Sequence, residues 1–244
     1  WRTRFVVDAS GRDTFLANRL KAKERDPKNN TAAIYGHFEG ARRLPGKSEG
    51  NITLFWFDHG WFWFIPLADG ATSIGAVCFP YYMRSRKTSP ERFLLDTIAL
   101  APALADRLRN ARLVSPVTAT GNYSYATGRA WGDSYIMVGD AYAFIDPIFS
   151  TGVLLAMQSG FAGADAVETC LDHPRSARRA LKAYDAGVRR GLRVFSWFIH
   201  RIMTPGLRDI FMNPGNQWRL RDALLAVLAG NVAFRAGLAA LGIG

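Results

Sequence analysis

The sequence predicts an α/β protein in which an antiparallel sheet interrupts a layer of short buried strands and helices, with further helices at the end. Three observations predict it. Arg4-Phe-Val-Val-Asp-Ala-Ser-Gly11 is a β-branched run that ends in small residues. Between Ile52 and Phe79, three aromatic or β-branched runs are separated by turn residues. Ser134-Tyr-Ile-Met-Val138 then leads through Gly139-Asp140-Ala141 towards long stretches of helix-forming residues.

The first run reads as a buried strand stopping at a tight turn. Residues 17–31 are polar and charged and read as a surface connection. Ile52 to Phe57, Trp61 to Pro66 and Thr72 to Phe79 form an antiparallel meander, with Asp58-His59-Gly60 and Ala68-Asp69-Gly70 as its hairpin turns. Ser89-Pro90-Glu91-Arg92 opens a helix, because Ser89 can cap it and Pro90 fits the first helical position. Apolar residues continue from Phe93 to Leu108 across Pro102, so two segments are expected. Val117 to Tyr125 reads as another strand. A helix from Val153 to Leu171 carries Ala156, Gly160, Ala162, Gly163 and Ala164, small enough for close packing, and His173-Pro174 ends it. A second helix runs from about Ser176 to Met203. Thr204-Pro205-Gly206 separates it from two more helical stretches.

Of the 244 residues, 49% are hydrophobic and 21% charged, which suits one large domain or two small ones with a sizeable core. The formal net charge is +11. Basic residues are dense from Arg2 to Lys47 and from Arg175 to Arg221; Arg175, Arg178, Arg179, Lys182, Arg189, Arg190 and Arg193 have helix-compatible spacing. The ordinary reading is a solvated basic face; the functional ones are a peripheral membrane contact or an acidic carrier protein. Nucleic acid is set aside because no recognition motif accompanies the charge. Cys78 and Cys170 lie in apolar settings without CxxC spacing and read as reduced residues of a cytoplasmic protein. The four histidines show no metal-ligand spacing, and no metal is expected. The chain opens on Trp1, its first methionine is Met83, and no signal peptide leads it, so it is expected to be part of a longer protein. No uncharged apolar run reaches the roughly 18 residues that suggest a membrane span.

Four segments could carry chemistry. Asp8-Ala9-Ser10-Gly11 lets a backbone approach a ligand closely, or is an ordinary strand-end turn. Gly139-Asp140 puts a carboxylate at the end of a strand, where it can accept from a ribose or ribityl hydroxyl or cap the next turn. Asp146-Pro-Ile-Phe-Ser-Thr-Gly-Val153 heads the small-residue helix, whose free amides favour an anion or a partial negative charge unless Ser150 or Thr151 serves only as a cap. Trp61-Phe-Trp-Phe-Ile-Pro66 places Trp61 and Trp63 on one face of a strand and Phe62 and Phe64 on the other, as any buried strand would.

Taken together and in this order, these pieces resemble the class A FAD-dependent oxidoreductases, which include aromatic hydroxylases and geranylgeranyl reductases. Trp61-x-Trp63-x-Ile65-Pro66 is similar to the Trp-x-Trp-x-Ile-Pro motif of the flavin-dependent halogenases of the tryptophan halogenase superfamily. Asp146 to Val153 looks like the branch acting on phenolic or carrier-bound substrates. The resemblance implies an FAD cofactor contacted by Asp8, Gly11, Gly139 and Asp140, with Pro147, Gly152 and Val153 against the isoalloxazine ring. It implies a halide at the amides of Thr151 and Gly152, and catalytic Trp61 and Trp63 near the tunnel to the substrate. In that family's mechanism, a hydroperoxide of the reduced flavin oxidises the halide, and hypohalous acid reaches an electron-rich ring by way of a lysine.

The same resemblance defines the departures. The Gly-x-Gly-x-x-Gly loop and the family's lysine in its Gly-Trp-Lys-like setting do not occur in this chain; Lys21, Lys23, Lys28, Lys47, Lys87 and Lys182 lie in other contexts. This chain alone is expected neither to hold FAD tightly nor to turn over. Tryptophan-specific members carry a glutamate where Phe149 stands, which argues against free tryptophan as substrate. The implied architecture is part of an FAD-binding Rossmann-like layer from residues 1–33 and 130–172, an antiparallel substrate domain over 34–129 and a helical region over 173–244. The expected partners are a small or carrier-bound aromatic substrate, a halide and a flavin reductase. A non-halogenating FAD-dependent monooxygenase or reductase, and a non-enzymatic basic membrane-associated protein, stand as alternatives.

Overall fold

The computed structural model describes residues 2–26, 30–121, 124–202, 204–212, 222 and 225–226. In chain order the strands are β1 (Val6–Asp8), β2 (Lys23–Arg25), β3 (Ala32–Glu39), β4 (Thr53–Phe57), β5 (Gly60–Pro66), β6 (Thr72–Cys78), β7 (Arg112–Leu113), β8 (Thr118–Gly121), β9 (Tyr125–Thr127), β10 (Trp131–Gly132), β11 (Tyr135–Met137) and β12 (Ala143–Phe144). The helices are α1 (Phe15–Arg19), α2 (Pro80–Arg84), α3 (Pro90–Ala99), α4 (Pro102–Arg107), α5 (Gly152–Asp172), α6 (Ala177–Ile202) and α7 (Pro205–Met212). The chain divides into two compact units, residues 30–123 and residues 1–29 with 124–244. The fold class is the mixed α/β one expected.

In the unit of residues 30–123, the predicted meander is present as β4, β5 and β6, paired antiparallel with Phe55 opposite Phe62 and Phe62 opposite Ala76. The strand order is β4-β5-β6-β3-β7, and β8 also pairs with β3. Strand β3, which the sequence pattern does not single out within the expected sheet domain, is central: Ala32 to Phe38 pair with β6 along the whole strand. Alternation sends Phe62 and Phe64 into a core with Ile34, Ile74, Ala76 and Cys78, covered by Phe93, Leu94, Ile98 and Leu104. Each fully buried phenylalanine there contributes about 1.5–3 kcal/mol. Burial also pushes the Cys78 thiol up to about 12. The predicted cap is formed, with Arg92 N donating to Ser89 Oγ at 3.2 Å, and Pro102 starts a separate helix.

In the other unit, β1 and β11 run parallel, with Val6, Val7 and Asp8 opposite Tyr135, Ile136 and Met137. β10 continues this sheet, while β2, β9 and β12 form a second one. The expected strand from Val117 to Tyr125 is therefore two strands. β8 belongs to the large sheet and β9 pairs with Lys23 to Arg25, which read as surface connection but form β2. The buried strand expected near the N-terminus is also corrected. Val6 and Val7 are 43% and 49% exposed, because β1 has a partner on one side only among the described residues.

Helices α5 and α6 pack over a core of Ile136, Met137, Val138, Tyr142, Leu181, Tyr184 and Val188. Of the small residues of α5, Gly163 allows the close approach anticipated, since a Cβ there would lie 2.9 Å from Val138 Cγ1, whereas a Cβ at Gly160 would meet nothing within 4 Å and Ala164 is exposed. Val153, Met157 and Phe161, at successive i+4 positions of α5, are exposed. The first helical stretch after Thr204 is α7; of the second, only residues 222 and 225–226 are described. Among the described residues, no helix is long and apolar enough to cross a membrane.

Candidate active site

The parallel pairing of β1 with β11 brings two of the predicted segments together. Both strands end at the same level, with Val138 N donating to Asp8 O at 3.0 Å. The turn Gly11–Asp13 consequently packs beside the turn Gly139–Ala141. This is the carboxyl edge of a parallel pair, where open α/β sheets take their ligands.

The two turns are built differently. Asp8 is buried, and its carboxylate accepts from Ser10 N at 2.9 Å and from Leu16 N at 2.7 Å. It therefore holds the turn and the start of α1. Gly11 has a φ of 63°, and a Cβ there would meet nothing within 4 Å. Gly139 has a φ of 56° but no such space, since its Cβ would lie 3.0 Å from Ala156 Cβ of α5. Gly139 N donates to Ser159 Oγ at 2.8 Å, and Ser159 Oγ donates to Ala156 O at 3.0 Å. The turn after β11 is thus fastened to α5.

Two phenols complete the support. Tyr184 OH of α6 donates to Met137 O at 2.6 Å, and Tyr125 OH of β9 donates to Asp140 O at 2.8 Å. Burial raises both phenols, Tyr125 to about 12. They remain neutral donors at physiological pH. Motif reading overlooked Ser159, Tyr125 and Tyr184, since their roles exist only through contacts distant in sequence.

Asp140 is half-buried, and no described residue donates a hydrogen bond to its carboxylate. Burial raises its pKa above the usual carboxylate range, and the Arg12 guanidinium pulls it part of the way back. A partly desolvated carboxylate beside two glycine-containing turns is suited to accept from a hydroxyl of a bound molecule.

The Asp146 to Val153 segment leads into α5 through a local turn. Asp146 Oδ1 accepts from Ile148 N at 2.9 Å across the half-exposed Pro147, and Ser150 N donates to Pro147 O at 2.9 Å. Ser150 takes a left-handed φ of 52°, and Thr151, buried, occupies the cap position without a capping side-chain hydrogen bond. No acidic residue stands in the first turn. Gly152 faces the Phe144 ring, 3.4 Å from where its Cβ would be, and Val153 is exposed. The first amides of this 21-residue helix thus lack a side-chain cap, a setting that favours an anion. Phe149 packs against Phe198 of α6 and Phe211 of α7, with ring centroids 4.9 and 5.7 Å apart.

Trp61 and Trp63 belong to the other unit. They share one face of β5, as the alternation required, with centroids 6.2 Å apart. Trp61 is fully buried and its indole N–H has no partner among the described residues. Trp63 Nε1 donates to Ser73 Oγ at 3.1 Å.

Comparison with known proteins identifies the family. The chain is 29% identical over 238 residues to the 1H-pyrrole-2-carbonyl-[peptidyl-carrier protein] chlorinase of Pseudomonas fluorescens, covering 95% of this chain and 52% of that protein. It is 31% identical to the corresponding brominase of Pseudoalteromonas luteoviolacea, covering 70% of this chain and 43% of that one. It spans about half the length of the curated relatives it matches. Among solved structures, the flavin-dependent brominase Bmp2 superposes with a TM-score of 0.86 at 25% identity, over 97% of this chain and 61% of that one. The myxobacterial chondrochloren halogenase CndH gives 0.75 at 29%, over 94% of this chain and 55% of its own. The sequence profile of the tryptophan halogenases matches residues 1–208. The chain therefore belongs to the tryptophan halogenase family.

Proposed function

We propose that the protein containing this chain is an FAD-dependent halogenase acting on an electron-rich aromatic ring, presented as a small molecule or on a carrier protein. The observation that carries the reading is the meeting of the Asp8–Gly11 turn, the Gly139–Asp140 turn and α5 within one unit. The residues present fit FAD. Gly11 leaves open space, Gly139 keeps its turn against α5 without a side chain, and Asp140 offers an acceptor that no described donor occupies. When bound and reduced, FAD would supply the oxygen-activating chemistry that oxidises a halide.

Around that chemistry, each residue has a task. Asp8 keeps the first turn in shape, and Gly11 and Gly139 admit the cofactor backbone. Asp140 accepts from a cofactor hydroxyl, while Pro147, Gly152 and Val153 border the ring. The uncapped amides at Thr151 and Gly152 hold the halide by the positive end of the α5 dipole. Trp61 and Trp63, side by side on β5, would carry the role of the family's motif from within their own unit. The phenyl rings around Phe149 support an apolar substrate position. A flavin reductase is the electron donor, and the free thiols Cys78 and Cys170 support a cytoplasmic setting.

The test is to supply the full-length protein with reduced flavin, dioxygen, bromide and a pyrrole-2-carbonyl-loaded carrier protein. A brominated pyrrole supports the proposal. A hydroxylated or reduced product under the same conditions contradicts it.

A further inference from the structure

Helix α6 has two opposite faces with different chemistry. Its apolar face, including Leu181, Tyr184, Val188, Phe195 and Ile199, is buried. Its outer face exposes Arg178, Arg179, Lys182, Arg190 and Arg193. From Arg178 to Arg193 this face extends about 22 Å at 1.5 Å per residue. One turn beyond Arg193, Trp197 is 54% exposed, with the Arg201 guanidinium 4.2 Å from its ring centroid.

The face is not neutralised from within. Asp185, the acidic residue of α6, is paired with Arg189 at 2.8 Å, and Arg189 also donates to Gly128 O. Among the described residues, no carboxylate forms an ion pair with the five exposed cations. Like charges this close repel, so the arrangement gains most from an external anionic surface. Its length and its terminal aromatic suit a protein partner, since exposed Trp and Arg are the side chains that dominate protein interfaces. A membrane-lying helix would need its apolar face free to enter lipid, and that of α6 is already buried.

We propose that the outer face of α6, from Arg178 to Trp197, docks an acidic carrier protein that delivers the aromatic substrate. The assignment rests on the carrier-bound reading above and extends it to a defined surface. Individually exposed cations bind weakly, so the face acts collectively, guiding encounter and orientation with a strong dependence on salt.

The experiment uses the full-length protein and a fluorescently labelled, pyrrole-2-carbonyl-loaded peptidyl carrier protein. Binding is read by anisotropy at 50 and at 300 mM NaCl. The wild type is expected to bind at low salt and to weaken at least tenfold at high salt. R178E/K182E/R190E/R193E is expected to lose at least tenfold in affinity at low salt. R178K/R190K/R193K, which keeps every charge, is expected to bind as wild type and controls for folding. Equal binding by wild type and the charge-reversed protein overturns the proposal, as does no binding by the wild type. Charge-dependent binding to phosphatidylglycerol vesicles without charge-dependent carrier binding overturns it in favour of a membrane.

Bromination of the free N-acetylcysteamine thioester of pyrrole-2-carboxylate is followed in parallel and separates the two readings. Turnover of this thioester without carrier binding defeats the docking surface alone. Charge-dependent carrier binding without bromination of either substrate defeats the halogenase reading alone.

Discussion

Gly139 N donates to Ser159 Oγ at 2.8 Å, tying the turn after β11 to the second turn of α5. Ser159 is buried, so no water replaces it easily. Ser159→Ala should cost about 1–3 kcal/mol by leaving the Gly139 amide unsatisfied. Urea unfolding of the full-length protein measures the loss. Flavin content at saturation should fall as well, because the turn is released from the helix that heads the site.

The two glycines of the site should respond differently to the same substitution. Both have left-handed backbones, which cost an alanine about 1–2 kcal/mol. Gly139→Ala adds a collision with Ala156 and should unfold at distinctly lower denaturant than Gly11→Ala. Gly11→Ala places its methyl in open space, so its main effect should be weaker FAD binding. Equal losses of stability in the two variants would contradict the packing described.

Asp8 offers both carboxylate oxygens to backbone amides. An asparagine has one acceptor oxygen and a donor where the second stood. Asp8→Asn should therefore destabilise by about 1–3 kcal/mol, measured as a shift of the denaturation midpoint. Ser10→Ala, which removes the acceptor for Phe15 N at an exposed position, should cost less.

Asp140 sets stability against function. Burial raises its folded-state pKa, so its ionised form is the one penalised in the folded protein. Stability that depends on its being protonated is fully present below the unfolded pKa and is lost as pH rises through the folded value. Asp140→Asn should raise Tm at neutral pH. The advantage should shrink as pH falls and vanish below the usual carboxylate range, as a Tm series across pH would reveal.

How much of this was legible in the sequence depends on whether the signal was local. Ser89-Pro90 announced its helix because a cap and a first-turn proline act within four residues. The hairpin turns and the Trp61–Trp63 face followed from turn chemistry and alternation. Strand β3 was missed because Ala32, Ala33 and Gly36 carry little intrinsic strand preference; its identity comes from being flanked by β6 on one side and by β7 and β8 on the other. Val6 and Val7 looked buried because composition cannot reveal an unpaired edge. At the site, Gly139 and Asp140 could be picked out from the short strand before them, whereas Ser159 and Tyr184 could not. Their hydrogen bonds span 20 and 47 residues, and no spacing rule reaches that far.

The central claim is that the turns at Gly11 and Gly139, with Asp140 beside them, hold FAD. FAD titration into the full-length apo-protein, wild type against Asp140→Ala, tests it most directly. Losing a hydrogen bond to a charged acceptor is worth about 1.5–3 kcal/mol, so the alanine variant should bind at least about tenfold more weakly, with no loss of Tm in the absence of FAD. Equal flavin affinity in the two proteins would contradict the account.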